Sequence, residues 1–173
     1  RKIEVLAYDP AWQAAFAEEK VLLAKAIGDN ALVIEHIGST AVPGLVAKPV
    51  IDVLVAVKSL ADLDLSNTAL EDCGYQAKGE NGIVGRRYFQ KGGAQRSHHV
   101  HAFESGDLHL TRHLAFRDYL IAHPEISAQY GKIKQQAATN CRHNNNIYMA
   151  LKNDFIQHHE PLALAWCAEQ SVG

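Results

Sequence analysis

Residues 31–57 read ALVIEHIGSTAVPGLVAKPVIDVLVAV, and this stretch decides the fold. Two apolar, β-branched runs, 31–37 and 50–57, predict two strands joined by a Gly-Ser-Thr turn and a Pro-Gly segment. The second run contains a single charged residue, Asp52. A carboxylate among Val, Ile, Leu and Ala is costly to bury unless it is paired, protonated or bound to a metal. We therefore expect a functional site around Asp52 and the turn that precedes it.

Side chains alternate along a strand, so the second run has two different faces. Ile51, Val53, Val55 and Val57 form a continuous apolar face that must meet helices. Asp52 lies on the opposite face with Val50, Leu54 and Ala56. The alternative to a ligand or metal role is that Asp52 caps nearby loop amides or pairs with Lys48 or an arginine.

The Gly-Ser-Thr turn suits a phosphate, because small residues after a strand let backbone amides approach an anion closely. Ser39 and Thr40 add hydroxyl groups beside Gly38. Taken alone, such a triplet is usually an ordinary turn. Its significance here comes from its position, 12 residues upstream of Asp52 if counted from Thr40.

The rest of the chain predicts an α+β fold: a small mixed β-sheet packed against helices, with a helical C-terminal section. Asp9 and Pro10 begin a first helix whose apolar positions include Trp12, Phe16, Leu22, Leu23 and Ile27, and Gly28 ends it. Further helices are predicted at 59–73, 108–122, 124–140 and from Asn144 to about His159, where Pro161 breaks the last one. Further strands are predicted at 75–78, 83–90 and 97–104. We assign residues 1–160 to a single domain and 161–173 to a C-terminal tail.

Composition narrows the class of protein. The 173 residues are 47% hydrophobic and 21% charged, which is typical of a globular domain, and the net charge of -2 gives no signal for nucleic-acid binding. No apolar run reaches transmembrane length and the first residues lack a signal-peptide core, so no membrane association is expected. The cysteines are odd in number and lack CxxC spacing, which favours a reducing cytoplasm: Cys73, Cys141 and Cys167.

A histidine-rich strand is predicted at 97–104, SHHVHAFE. His99, His101 and Phe103 point to one side of it. If this strand neighbours the run 50–57 with matching faces, Asp52, His99 and His101 form a set of two histidines and one carboxylate that suits a divalent metal. The alternative is a pair of half-exposed hairpin histidines.

Arginines are the expected partners of a phosphate, because a guanidinium makes bidentate contacts. Arg86 and Arg87 are adjacent in a strand, so at most one of them faces the cleft. Arg112 or Arg117 could reach it from the helix 108–122, and the alternative for each arginine is a solvated charge. The lysines of the later helices are assigned to a solvated face: Lys132, Lys134 and Lys152.

Several motifs, taken in this order along the chain, resemble the GrpB family: EHIGSTAVPGLVAKPVIDVLVAV, GENGIVGRRYF, SHHVHAFE, HLAFRDYL and YMALKNDFI. The resemblance covers roughly residues 6 to 158. It implies similarity to the nucleotidyltransferase superfamily, and the GrpB family also occurs fused behind dephospho-CoA kinase domains.

The superfamily pattern is a Gly-Ser turn, a strand with two alternating carboxylates and a third carboxylate from a later strand, which together hold Mg²⁺. By this resemblance Gly38 and Ser39 match the turn and Asp52 matches the first carboxylate. Leu54 stands at the second position, and the strand 97–104 offers His101 for the third. A site with one Asp and two His suits Zn²⁺, Mn²⁺ or Fe²⁺ better than Mg²⁺.

Two functions follow as expectations. The first is a nucleotidyltransferase that binds a nucleotide or phosphorylated metabolite in a cleft, with Asp52 and His101 catalytic and a divalent metal (Mg²⁺, Mn²⁺ or Zn²⁺) on Asp52, His99 and His101. The second is a non-catalytic binding module for the same ligands with a degenerate metal site, linked through the fusion pattern to coenzyme A metabolism. The expected phosphate-binding residues are Gly38, Ser39, Thr40, Lys48, Arg86, Arg87 and Arg112. Neither the substrate nor the oligomeric state can be read from the residues.

Overall fold

The computed structural model describes residues 4–140 and 145–172. Its strands are β1 (Ala31–Ile37), β2 (Ile51–Val57), β3 (Tyr75–Ala77), β4 (Arg86–Lys91) and β5 (His98–Glu104). Its α-helices are α1 (Ala11–Ile27), α2 (Leu60–Asp64), α3 (Asn67–Asp72), α4 (Leu108–Ala122), α5 (Pro124–Asn140) and α6 (Asn145–Val172). None of the helices in these two ranges is long and apolar enough to cross a membrane.

The strands form one five-stranded sheet in the order β1-β2-β5-β4-β3. β2 and β5 are parallel, and every other neighbouring pair is antiparallel. The predicted α+β class with a small mixed sheet is confirmed. The parallel register places Asp52 opposite His99 and Leu54 opposite His101, so the predicted neighbours do share one face of the sheet.

One face of the sheet packs against α1, as the alternation in β2 predicts. Val53, Val55 and Val57 are fully buried and join Leu23 of α1 in the main core cluster. Trp12 also belongs to this cluster, whereas Leu22 is 44% exposed and lies on the outer side of the helix. α1 begins at Ala11, one residue after the predicted Pro10, and the Asp9 carboxylate accepts a hydrogen bond from the Ala11 amide.

The same α1-facing side carries a buried charged group that the sequence did not indicate. Glu19 is only 5% exposed. Its carboxylate accepts hydrogen bonds from Lys91 Nζ (2.8 Å) and the Tyr75 hydroxyl (2.7 Å) and lies 3.6 Å from His98. These contacts satisfy the charge of Glu19. His98 lies on this face, opposite to the one that carries Asp52, because side chains alternate along β5.

The other face of the sheet meets the helical C-terminal section. α4 contacts β1 and β2, while α5 and α6 pack against α4 and each other. The core of this section includes Val42, Leu45 and Tyr119, and the rings of Tyr130 and Phe155 stack with their centroids 4.4 Å apart. Asp52 therefore lies at the floor of a cleft between sheet and helices.

Several predicted boundaries are wrong. The helix predicted at 59–73 is divided into α2 and α3 near Leu65, which is 84% exposed and gives the chain no apolar anchor. The strand predicted from residue 83 begins only at Arg86, because Gly85 adopts a left-handed conformation (φ +83°) incompatible with a strand.

Pro161 does not end the last helix, since α6 continues through it to Val172. Proline removes one helical hydrogen bond, but packing on both sides of it holds the helix in place. Phe155 before the proline and Ala163 after it are both buried in the cluster that contains Tyr119 of α4. Ile147 and Leu151 near the start of α6 are 46% and 42% exposed. The predicted cap, Asn144, lies outside the described residues.

Candidate functional site

The cleft between sheet and helical section has a volume of about 400 Å³. Its walls come from the Gly-Ser-Thr turn, β2, β5, α4, α5 and α6. The polar and charged side chains that line it are Ser39, Thr40, Lys48, Asp52, His99, His101, Arg112, His113, Arg117, Tyr130, Lys134, Tyr148, Lys152 and Glu160.

Asp52 is the centre of the floor, and both predicted histidines contact it. His101 Nε2 lies 3.3 Å and His99 Nδ1 3.4 Å from the same carboxylate oxygen, Oδ1. Burial alone would raise the pKa of Asp52, but the contacts with His101 and His99 outweigh burial and lower that pKa. Asp52 is therefore an ionised acceptor whose side chain is still 28% exposed to the cleft.

Arg86 fixes the orientation of His101. The arginine is 7% exposed, and its Nε and Nη2 donate to the carbonyls of Glu80 and Asn81. Its Nη1 lies 3.4 Å from His101 Nδ1. Because arginine can only donate, His101 Nδ1 is the acceptor and Nε2 carries the proton toward Asp52. Arg86 thus lies behind the histidine and does not itself line the cleft.

Arg87 is not part of the site, which corrects its assignment to phosphate binding. It follows Arg86 in β4 and therefore points to the opposite face of the sheet. There it makes a bidentate ion pair with Asp64, with distances of 2.8 and 3.2 Å.

Arg112 reaches the cleft from α4, as predicted, but its donors are already engaged. Nη1 bonds Glu160 at 2.9 Å, and Nη2 lies 3.0 Å from His109 and 3.3 Å from His113. Burial, reinforced by Arg112 and His101, lowers the pKa of His113 to about 3. His113 is therefore a neutral acceptor at physiological pH, and this end of the cleft carries little net charge.

Arg117 also lines the cleft from α4. Its guanidinium bonds Glu35 (2.8 Å), Asp118 (2.9 Å) and the backbone carbonyl of His36 (3.1 Å). These contacts tie α4 to β1, so the main role of Arg117 is to hold the helical section against the sheet.

The Gly-Ser-Thr turn is built by contacts within the protein. Thr40 is 1% exposed; its hydroxyl donates to the Val50 carbonyl (3.1 Å) and accepts from His36 Nε2 (2.9 Å). That hydroxyl has no proton left to donate to a phosphate oxygen, so it does not fit the phosphate contact predicted for it. Ser39 of the turn and Tyr130 of α5 line the same cleft, so the turn and the helical section meet there.

His36 makes stability depend on pH. It stacks on Phe16 (4.9 Å between centroids), and burial is the main reason that its pKa falls to about 4. Between pH 4 and the unfolded value near 6.5 the unfolded chain binds more protons at this site. The free energy of unfolding should therefore fall with decreasing pH in this window, by at most about 1.4 kcal/mol per pH unit from this residue.

Urea unfolding from about pH 7 to about pH 4.5 measures this effect. We expect the decline in wild type to be steeper than in His36→Gln, which retains a side-chain N–H for Thr40. Burial also lowers the pKa values of His98 and His113. Their contributions to the change of the unfolding free energy with pH are the same in wild type and in the variant. Parallel curves for the two proteins would contradict the assignment.

Two lysines that the sequence assigned to solvent line the cleft. Lys134 of α5 is 2% exposed; its Nζ donates to the Val46 carbonyl at 2.7 Å and lies 5.1 Å from the Tyr130 ring centroid. Half-buried Lys152 of α6 lies 5.6 Å from the Tyr148 ring centroid. Only Lys132 is exposed as expected.

Lys48 completes a lysine cluster, which we define as Lys48, Lys134 and Lys152. Lys48 Nζ lies 4.5 Å from the Tyr148 ring centroid. Burial is the main reason that the pKa values of Lys134 and Lys152 fall, and the neighbouring ammonium groups lower that of Lys134 further. Within residues 4–140 and 145–172, no carboxylate forms a salt bridge with Lys134 or Lys152, although the charge of Asp52 favours the ammonium form of both. Helical spacing indicates the burial of Lys134, because it follows Tyr130 by four residues and so lies on the same, buried side of α5.

The side chains do not fit the metal site of the superfamily. Leu54 occupies the second carboxylate position and is 1% exposed. Asp52, His99 and His101 meet as a hydrogen-bonded group around one oxygen. In the described part of the chain, no three His, Cys, Asp or Glu side chains are arranged to hold a metal ion. A divalent metal on Asp52, His99 and His101 stays a prediction.

Sequence comparison relates the chain to bacterial proteins. It is 44% identical over 166 residues to the UPF0157 protein YqkA of Bacillus subtilis, covering 96% of this chain and 48% of that protein. It is 34% identical over 150 residues to the glutamate-rich protein GrpB of Alkalihalophilus pseudofirmus, covering 84% and 86%. The chain thus spans about half the length of the Bacillus subtilis protein.

Two solved structures share the fold. The crystal structure of the conserved protein GrpB from Enterococcus faecalis superposes with a TM-score of 0.90 at 43% identity, over 94% of this chain and 98% of that one. Cid1 in complex with its short product ApU superposes with a TM-score of 0.53 at 15% identity, over 77% and 42%. The second likeness concerns the fold alone, and it confirms the predicted nucleotidyltransferase-like architecture. Because the family model described as GrpB protein matches residues 2–161, the chain belongs to the GrpB family.

Proposed function

We propose that this chain binds a nucleotide or another phosphorylated metabolite in the cleft, with the phosphate held by the lysine cluster beside the Gly-Ser-Thr turn. The observation that carries the proposal is the pair Lys134 and Lys152, two amines on the cleft wall that burial disfavours in the charged form and that no described carboxylate meets in a salt bridge. Buried charges are costly unless they are paired. An anionic ligand would supply the missing partner.

The surroundings of the lysine cluster favour phosphate over a simple carboxylate ligand. The ammonium groups come from three different parts of the fold, so they surround a volume and can contact several oxygens of one tetrahedral group. Ser39 adds a hydroxyl at the adjoining turn. Phosphate also carries more negative charge than a carboxylate near neutral pH, which matches a site with several lysines.

Thermal unfolding with added ligand tests this function, because a ligand selective for the folded state raises its stability by mass action. We expect AMP, ATP and dephospho-CoA to raise Tm, and adenosine, which lacks phosphate, to have no effect. At about 100 times Kd the stabilisation is about 2.7 kcal/mol. Because this proposal gives the phosphate contacts to lysines, the shift should persist in EDTA. Equal responses to adenosine and AMP would overturn the proposal.

A second candidate is nucleotidyl transfer, favoured by the fold shared with Cid1 and by Asp52 at the position of a catalytic carboxylate. In this reading Asp52, with His99 and His101, would hold a divalent metal, whose chemistry is to neutralise the phosphates and activate the acceptor. Incubation with a labelled nucleoside triphosphate and Mg²⁺, Mn²⁺ or Zn²⁺ tests it. Turnover in wild type that is absent in Asp52→Ala supports transfer; binding without turnover supports the binding module.

The link to coenzyme A metabolism rests on one relative. The chain is 29% identical over 190 residues to a protein named dephospho-CoA kinase from Mycolicibacterium paratuberculosis, covering 95% of this chain and 46% of that protein. This relation is the reason to include dephospho-CoA among the test compounds. A larger Tm shift with dephospho-CoA than with AMP would favour the link.

A further inference from the structure

We propose that Asp52 accepts a hydrogen bond from a hydroxyl group of the ligand, so that the cleft selects phosphorylated compounds with a free sugar or polyol hydroxyl. This inference rests on the proposed function, which places the phosphate at the lysine cluster. It gives Asp52 a specificity-determining role that requires no metal.

The two oxygens of Asp52 have different surroundings. Oδ1 is in contact with both His99 and His101. Oδ2 lies against Gly38, where a Cβ would approach it to 2.7 Å. In the described part of the chain no group donates a hydrogen bond to Oδ2, and the Asp52 side chain remains partly open to the cleft. An ionised carboxylate can only accept, so the ligand group that meets Oδ2 must be a donor.

The charges around Asp52 select among donors. Lys134 and Lys152 line the same cleft, so a ligand ammonium group would compete with two amines for the same space. A phosphate at Asp52 would face the carboxylate directly, because the described residues form no metal site there to separate the two. A neutral donor avoids both conflicts. Hydroxyls are the donors that sugars and ribonucleotides carry close to a phosphate.

The shape of the cleft allows the two contacts to be made by one ligand. On α6, Lys152 and Glu160 both line the cleft and are eight residues apart, a rise of about 12 Å. Ile156 lies midway between them and also lines the cleft, opposite Phe116 and Leu120 of α4. An uncharged, partly apolar portion of the ligand is accommodated along this wall, with the phosphate at the Lys152 end.

Titration calorimetry with AMP and dideoxyadenosine monophosphate tests the inference, because the two compounds differ only in the ribose hydroxyls. In wild type we expect AMP to bind roughly ten-fold more tightly or better, as for a hydrogen bond to a charged group. In Asp52→Ala the preference should disappear, and the dideoxy compound should bind at least as tightly as to wild type because a negative charge is gone. Should that variant fail to fold, Asp52→Asn keeps the shape and should reduce the preference to a few-fold.

The matched comparison is Lys134→Met. This variant should weaken the binding of both compounds by the same factor, so that the ratio of their dissociation constants is unchanged. If wild type binds AMP and its dideoxy analogue equally, or if Asp52→Ala still prefers AMP, the role of Asp52 is overturned. Phosphate binding is left intact by either result. If neither compound binds wild type and Tm responds to no phosphate compound, the proposed function itself fails.

Discussion

Replacement of Lys134 by methionine is expected to weaken AMP binding at least roughly thirty-fold, since removing one partner of a buried charge pair costs about 2–5 kcal/mol. Methionine matches the length of the lysine stem, so it fills the same space between Val46 and Tyr130. The matched control is Lys132→Met, which removes an exposed lysine from the same helix two positions away. Titration calorimetry on both variants measures the difference, and equal effects would contradict the lysine cluster.

Stability gives an independent measurement on the same variants, made without ligand. Burial is the main cause of the lowered folded-state pKa of Lys134, whereas the unfolded chain keeps that proton up to about pH 10.4. The unfolded state therefore binds more protons between the lowered folded-state pKa and about pH 10.4, and the free energy of unfolding rises with pH over that range. We expect the rise from about pH 7 to about pH 9 to be smaller in Lys134→Met, and Lys132→Met to follow wild type.

The sequence was sufficient to group the side chains on the floor of the cleft, because that grouping depends on the local alternation of side chains along each strand. Alternation along β2 and β5 determines which side chains share a face. Once the strands lie side by side in parallel, Asp52 must meet His99 and His101. The same alternation separates Arg86 from Arg87, although only the structure tells which of them approaches the histidines.

The walls of the cleft could not be predicted in the same way, because they depend on how α4, α5 and α6 pack. A lysine on a helix is usually solvated, and the spacing from Tyr130 does not by itself show that Lys134 is buried against Val46. Thr40 shows the opposite error, since the sequence assigned it to the ligand although its hydroxyl is bonded within the protein. Its hydroxyl looked available in the turn, but the distant partners His36 and Val50 occupy it.

Gly38 is the residue of the turn for which we expect the largest loss of stability. It has a left-handed φ of +75°, and a Cβ there would lie 2.7 Å from Asp52 Oδ2 and 3.1 Å from Asp52 Cβ. Both effects act in Gly38→Ala: the backbone conformation, with ψ of -173°, is one that essentially only glycine adopts and costs about 1–3 kcal/mol, and the alanine methyl displaces the carboxylate. Urea unfolding should show a loss of stability of roughly 2–4 kcal/mol in total.

Gly44→Ala separates these two effects. Gly44 has a similar φ of +83°, but a Cβ there would have no neighbour within 4 Å. It should therefore show the backbone strain alone, and the excess loss in Gly38→Ala measures the collision with Asp52. Because that collision moves the carboxylate away from its position between the turn and the histidines, only Gly38→Ala should also reduce the preference for AMP over its dideoxy analogue. Equal losses of stability would mean that Asp52 moves aside without cost and that its position at the turn is not fixed.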